Sequence, residues 1–402
     1  MRTRTCLFLA LLVSVARPLR AQQTVDVGSI SGRVTDQSNA PVPGATVTAT
    51  HLATGIVTPV VTDPDGRFRF PYLRIGRYEL AVTLSGFSTV TKQLTMAAGS
   101  AFMLPITLPI AGLDEAVKVT AEAPVIETAR SQIASTVSET EVAALPMNGR
   151  NFLDLALLVP GVAPTNIAST QLFPETSAVP GVSLSIGSQR NLSNNFVVDG
   201  LSANDDAAGL SGITYGVDAI EQFQVITSGA QAELGRALGG YVNIVTKSGS
   251  NDLRGTLYNF FRDDAMNGAN ALSGSTLPMR QYQYGGSLGG PVRRDRAFYF
   301  LNLERHALEQ NGLVTIAATD ISAINARLSG VGYQGPLLAT GLYPNPVDTS
   351  NLLAKIDHQR GRDQVNVRYG RYAVDATNAR GAGALSAPSA AAHLGNRDQV
   401  LA

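Results

Sequence analysis

The chain has 402 residues, room for two or three domains, and only 15% of them are charged. Its 31 acids balance its 31 bases, which gives no reason to expect nucleic acid or an anionic surface as partner. With one cysteine in the whole chain, Cys6, neither a disulfide framework nor a thiol nucleophile organises the fold.

Residues 1–21 read as a secretory signal peptide. Arg2 and Arg4 supply the positive start, and Leu7 to Ala16 an apolar run too short to cross a bilayer. Cleavage falls after Ala16 or after Ala21. Cys6 precedes the apolar run, which argues against a lipoprotein. No later stretch reaches 18 uninterrupted apolar residues, so membrane entry requires strands closed into a barrel.

Residues 24–110 carry strand signals at sandwich spacing. Ile30 and Val34 alternate with polar neighbours, as do Ala45, Val47 and Ala49, and then Tyr78, Leu80, Val82 and Leu84. Phe68 and Phe70 follow Asp63-Pro64-Asp65-Gly66, which reads as a hairpin turn because a calcium loop's ligand spacing is missing. Residues 111–124 form a linker. Within it Leu113 to Ala121 is short and extended, either an ordinary edge segment or a strand that adds to a partner's sheet.

Residues 125–248 read as a compact middle domain. Ser138 three residues before Glu141 makes a capping box, and Ser138 to Val159 is expected as one or two helices ended by Pro160-Gly161. Phe196 to Leu201 is expected as a buried strand and turn. Asp199, Asn204, Asp205 and Asp206 read as a solvated acidic loop, lacking the spacing of a metal site. Around Ala219 to Asp264 the texture changes: a glycine-rich segment leads to an alternating strand, Tyr241 to Lys247, with Val242, Ile244 and Thr246 on one side. A Ser-Gly-Ser-Asn turn then leads to a second strand, Leu253 to Arg262.

Residues 249–402 alternate as membrane-barrel strands do. Tyr299, Leu301 and Leu303 oppose Asn302 and Glu304. Leu352, Ala354 and Ile356 oppose Lys355 and Asp357, with a turn at Gln359 to Asp363. Val365, Val367 and Tyr369 oppose Asn366, Arg368 and Gly370. Eight of the 12 tyrosines fall at or after Tyr258, a supply of interfacial aromatics in a chain without tryptophan. Five to seven strands are expected here, too few to close a barrel around a domain. The segment is therefore expected to be the start of a longer wall.

Catalytic patterns are weak. His51, His306, His358 and His393 show no metal-ligand spacing. Gly285-Gly286-Ser287-Leu288-Gly289 has the nucleophile-elbow pattern, but no helix follows it, so it is expected as a turn or bulge. Neither an enzyme nor a cofactor is expected.

Three regions of the chain resemble known families. SGRVTD (31–36), PVPGATVTAT (41–50) and TDPDGRFRFPYLRIGRYELAVTLSGF (62–87) resemble the carboxypeptidase regulatory-like domain, which implies a seven-stranded immunoglobulin-like sandwich of non-catalytic type. Fold alone does not carry sugar binding over. LPMNGRNFLDLALLVPGV (145–162), NNFVVDGLSANDD (194–206) and the glycine-rich segment resemble the plug of TonB-dependent outer-membrane receptors of the Oar-like subgroup. That resemblance implies a small α/β plug at 125–248, with Glu233, Gly235, Arg236, Gly239, Gly240 and Asn243 as its closing motif. Asp114, Glu115, Ala116, Val117, Lys118, Val119, Thr120 and Ala121 resemble the box that pairs with TonB. The fold class expected is thus mainly β: an N-terminal immunoglobulin-like β-sandwich, a small α/β plug domain, then the first strands of an incomplete transmembrane β-barrel.

The function so implied is energy-coupled import of a bulky extracellular ligand (siderophore, glycan or peptide) across the outer membrane. The partners would be a TonB-type periplasmic protein and outer-membrane lipid, with sandwich and plug facing the periplasm. A surface adhesin whose sandwich recognises carbohydrate or protein is the second reading. A hydrolase using Ser287 is the third.

Overall fold

The structure, a computed structural model, describes residues 26–111, 132–145, 147, 150–165, 184–205, 210–211, 215–230, 232–235, 237–269, 274, 276–314, 316–361, 363–380 and 391–401. The signal segment, Asp114 to Ala121 and Arg236 lie outside the described residues.

Seven strands open the chain: β1 (Val27–Thr35), β2 (Thr46–His51), β3 (Val57–Val61), β4 (Arg67–Arg74), β5 (Gly76–Thr83), β6 (Val90–Met96) and β7 (Ala101–Thr107). They form two sheets, β4-β1-β7 and β3-β2-β5-β6. Period-two alternation puts Ile30, Val34, Val47, Phe70, Leu80 and Val82 between them, all fully or almost fully buried. The hairpin expected at 63–66 is corrected: the turn is tight and fixed by its own side chain, but β3 and β4 on either side of it belong to different sheets, so it crosses between the layers. Asp63 Oδ1 accepts from the amides of Asp65 at 3.0 Å and Arg67 at 2.7 Å, and Gly66 takes φ +75°.

The middle domain comprises β8 (Ile133–Ser138), α1 (Glu139–Ala144), a 3-10 turn at Phe152–Leu158, β9 (Val162–Pro164), β10 (Leu184–Ile186), β11 (Asn195–Val198), β12 (Leu201–Ser202), β13 (Asn204–Asp205), β14 (Leu210–Ser211), β15 (Ile220–Ser228) and β16 (Tyr241–Thr246). Its main sheet runs β12-β11-β16-β15-β8. Ser138 and Glu141 do form a capping box, but the helices expected across Ser138 to Val159 shrink to six residues and a 3-10 turn. The chain is interrupted between them, with Arg150 at φ 54° and Asn151 capping the amide of Leu153. β16 is central, and all six of its residues are buried. The one-sided alternation expected for it fails because both faces are covered. Val242 and Ile244 join Phe152, Phe196 and Phe223 in the domain core, while Val245 packs on the other side with Ile75 and Ala98 of the sandwich.

The last region is an open antiparallel wall of β17 (Arg254–Asp263), β18 (Met279–Arg293), β19 (Ala297–Leu313), β20 (Leu342–Pro344), β21 (Val347–Arg360), β22 (Asp363–Arg380) and β23 (Ala391–Leu401). The order is β17-β18-β19-β21-β22-β23, with β20 beside β19. Between β19 and β20 lies an unexpected helix, α2 (Ala318–Gly330). Only Ile321 of it is buried, so its apolar face is too thin for periodicity to reveal. One face of the wall presents Leu301, Leu303, Ile356, Val365 and Val367 outward, and the opposite face buries Asn302, Glu304, Lys355 and Arg368 against the middle domain and Asp357 against the sandwich. Connections alternate too: the β18–β19 and β21–β22 turns are tight, whereas β19 reaches β21 through α2 and β20.

Candidate functional site

Buried charge concentrates where the wall's inner face meets the other domains. Asp199 occupies the turn after β11 at φ 46°, a left-handed geometry that aspartate tolerates. Its Oδ1 accepts from the Thr246 amide at 2.8 Å, and its Oδ2 from the Thr246 hydroxyl at 2.6 Å and from Arg368 Nη1 at 2.7 Å. Arg368 Nη1 also donates to the Val198 carbonyl at 3.0 Å. Lys355 Nζ is 3.7 Å from the same carboxylate and donates to the Thr246 carbonyl at 3.2 Å. Lys355 and Arg368 are each only 2% exposed, so their desolvation is tolerable only with a matched anion. Burial alone would raise the Asp199 carboxyl. Lys355, Arg368 and the Thr246 donors outweigh it and hold the group below the usual carboxylate range.

A second cluster centres on Arg150. Its guanidinium pairs with Asp218, approaches Glu304 to 3.7 Å, and stacks 4.4 Å from the Tyr258 ring centre and 4.7 Å from that of Phe260. Tyr258 donates to Glu304 Oε2 at 2.5 Å. These two residues lie on β17 and β19, two strands apart. Gly285 is the residue between them in register, and a β-carbon there would lie 2.6 Å from the tyrosine hydroxyl oxygen. Glycine leaves the tyrosine its path across the sheet. The turn or bulge expected at Gly285–Gly289 is therefore corrected: the segment lies inside β18 without a register shift. Ser287 Oγ is 2.8 Å from the Thr256 hydroxyl, and no histidine hydrogen-bonds to it among the described residues.

A third cluster ties the sandwich in. Arg74, the last residue of β4, donates through Nη2 to Ser248 Oγ at 2.9 Å and to Asp357 Oδ1 at 2.8 Å. Gln224 Nε2 of the middle domain donates to the Ala98 carbonyl at 2.9 Å. Asn251, just before β17, donates its amide to the Ala53 carbonyl at 2.9 Å. All of these contacts gather at the tight-turn end of the wall.

The glycine-rich segment is close-packed. Gly235 takes φ +81°, and its carbonyl accepts from Tyr241 Oη at 2.7 Å. A β-carbon on Gly239 would meet Asn194 Oδ1 at 2.4 Å, and one on Gly240 the Ile226 carbonyl at 2.7 Å. Asn243 is buried in β16, and Glu233 lies in the short 3-10 turn Ala232–Leu234. Asp199 corrects the acidic-loop expectation: it is buried and ion-paired rather than solvated, because Lys355 and Arg368 reach it from the wall. Arg74, Arg150, Asp218 and Glu304 were missed as partners, although the inward parity of Glu304 marked its face. Among the described residues, no three of His, Cys, Asp and Glu are grouped to hold a metal ion.

The last region is thus a wall with one apolar face and one charged face, the charged face packed on a small mixed domain. Residues 245–400 match the family model "Outer membrane beta barrel domain", and 29–109 match "Carboxypeptidase regulatory-like domain". The TonB-dependent transporter Oar of Myxococcus xanthus is 26% identical over 297 residues, covering 70% of this chain and 26% of that protein. Similar solved structures include the siderophore receptor PirA of Acinetobacter baumannii, at TM-score 0.45 and 17% identity over 63% of this chain and 33% of that one. The outer membrane transporter YddB of Escherichia coli gives TM-score 0.42 and 16% identity over 60% and 33%. The chain is homologous to Oar over that stretch and spans about a quarter of that protein's length. That curated relative is a transporter by its description.

Proposed function

We propose that this chain forms the sandwich, plug and first wall strands of an energy-coupled importer for a bulky extracellular solute: a siderophore, a glycan or a peptide. The observation that carries the reading is the Asp199–Lys355–Arg368 cluster, a charged lock between the middle domain and the inner face of the wall. A plug that must leave the lumen needs an attachment that is specific but polar, since hydrated charges are regained on release. Ligand binding alone shifts such an equilibrium only by its differential affinity. The proposed work comes from TonB adding its sheet edge to Asp114–Ala121, a segment that ends 12 positions before Ile133, where β8 begins. The tight turns at the sandwich end support a periplasmic placement of that end, because barrel turns are short there and long outside.

Pull-down of the TonB periplasmic domain by a peptide of residues 111–124 is the test. Capture by the native peptide and loss with Val117→Pro is expected, because proline removes a ladder amide. Absence of capture, together with ligand uptake that is independent of TonB, would overturn the mechanism.

A further inference from the structure

The outward face of the wall changes from apolar to basic over one level. On β18 the outward residues Tyr282, Tyr284, Leu288 and Val292 are all exposed. Their span is about 33 Å along the strand, or about 25 Å normal to a membrane at the usual barrel tilt. Immediately beyond comes the turn bearing Arg293, Arg294 and Arg296. On β21 the same face passes from Ile356 to His358 and then Arg360. These four arginines are exposed and engage no carboxylate among the described residues. Of the two acids nearby, Asp295 is held at 2.7 Å by Asn251 Nδ2, and Asp363 pairs only in backbone register with Arg360. A zero net charge over the whole chain conceals this local excess.

The arginines also border a groove. It has a volume of about 470 Å³, with Arg293, Arg296, Arg360 and the Asn251-held Asp295 on the wall side, three cations against one acid, and Ile56 and Val57 on the sandwich side. Val57 is exposed, so the groove pairs a cationic lip with an apolar shoulder and continues the apolar band of the wall. A free anion needs only the lip. A phosphate group attached to acyl chains uses both.

We propose that this groove binds the phosphate headgroup of an anionic phospholipid at the sandwich end of the barrel. The inference rests on the outer-membrane reading of the wall. Three arginines together supply the attraction that juxtamembrane basic residues give individually, about fivefold each.

The test uses the full-length receptor purified in neutral detergent and offered equal phosphatidylglycerol and phosphatidylcholine, with retained lipid counted by native mass spectrometry. Phosphatidylglycerol is expected to be retained in preference. In the variant Arg293→Gln/Arg296→Gln/Arg360→Gln the preference should fall on the order of a hundredfold. The triple Arg→Lys variant should keep most of it, which separates charge loss from misfolding. Equal retention of the two lipids, or no change in the glutamine variant, overturns the proposal. So does displacement of bound lipid by millimolar inorganic phosphate, which would make the site one for a free anion. A receptor found in the outer-membrane fraction without this preference removes the lipid site alone, whereas one absent from that fraction removes the membrane reading as well.

Discussion

The carboxylate of Asp199 accepts a 2.7 Å hydrogen bond from Arg368 across 169 residues of sequence, and so joins the middle domain to the wall. With Lys355 beside them, three charges share one water-poor pocket. Removing Asp199 leaves two buried cations without a counter-ion. Asp199→Ala is expected to cost about 3–5 kcal/mol, read as a fall in the thermal midpoint of the full-length protein. A double-mutant cycle with Arg368→Met should show coupling above 1 kcal/mol in order of magnitude. Additive effects would mean that the pair is not a lock.

Glu221 lies at the β15 bulge, and burial pushes its carboxyl up to about 7 against the opposing pull of Lys355 and Arg74. A raised carboxyl pKa means the folded state holds the proton more tightly than the unfolded chain. That contribution is complete below the ordinary value of 4.5 and is lost as pH rises through about 7. Thermal midpoints between pH 4.5 and 8 should therefore drop more steeply in the native protein than in Glu221→Gln. Parallel curves would exclude the carboxyl as their source.

Gly240 has no room for a side chain, since a β-carbon would meet Ile186 Cγ2 at 2.4 Å and the Ile226 carbonyl at 2.7 Å. Gly240→Ala is expected to destabilise by about 1–3 kcal/mol through overpacking. Gly161 takes φ +84° with open space around its β-carbon position, so Gly161→Ala reports backbone strain alone. Denaturant titration of both variants separates the two effects.

Arg74 is the sandwich's ionic hold on the wall. Arg74→Ala leaves Asp357, itself only 1% exposed, with Asn366 as its remaining side-chain partner. Limited proteolysis should then cut between sandwich and middle domain several-fold faster, while the sandwich, whose core is independent of Arg74, stays intact. Unchanged cleavage would show that the apolar contact of Ile75 and Ala98 with Val245 suffices.

Much of this was legible in the sequence. Alternation set the inward and outward faces of β19, β21 and β22, because a half-buried strand must sort its residues by parity. Lys355, Asp357 and Arg368 were thereby placed on the polar side. Their partners were not legible: Asp199 looked like part of a loop, and nothing local to it announces two cations from strands far along the chain. Gly285–Gly289 misled because glycine runs usually punctuate strands, whereas here one glycine lets Tyr258 reach Glu304. The helix α2 escaped because it buries one side chain and so has almost no periodicity to detect.

The inward position of Lys355 and Arg368 bears on the empty wall as well as the filled one. On the proposed reading, in which the middle domain leaves the wall, Asp199 would depart with it and both cations would face the vacated space. Arg150 would leave as well, so the inner face would keep Lys355 and Arg368 beside Glu304 and Asp357, two cations against two acids. Neutralising Lys355 and Arg368 together would leave the acids in excess, so conductance through a receptor lacking the middle domain should turn cation-selective in that variant.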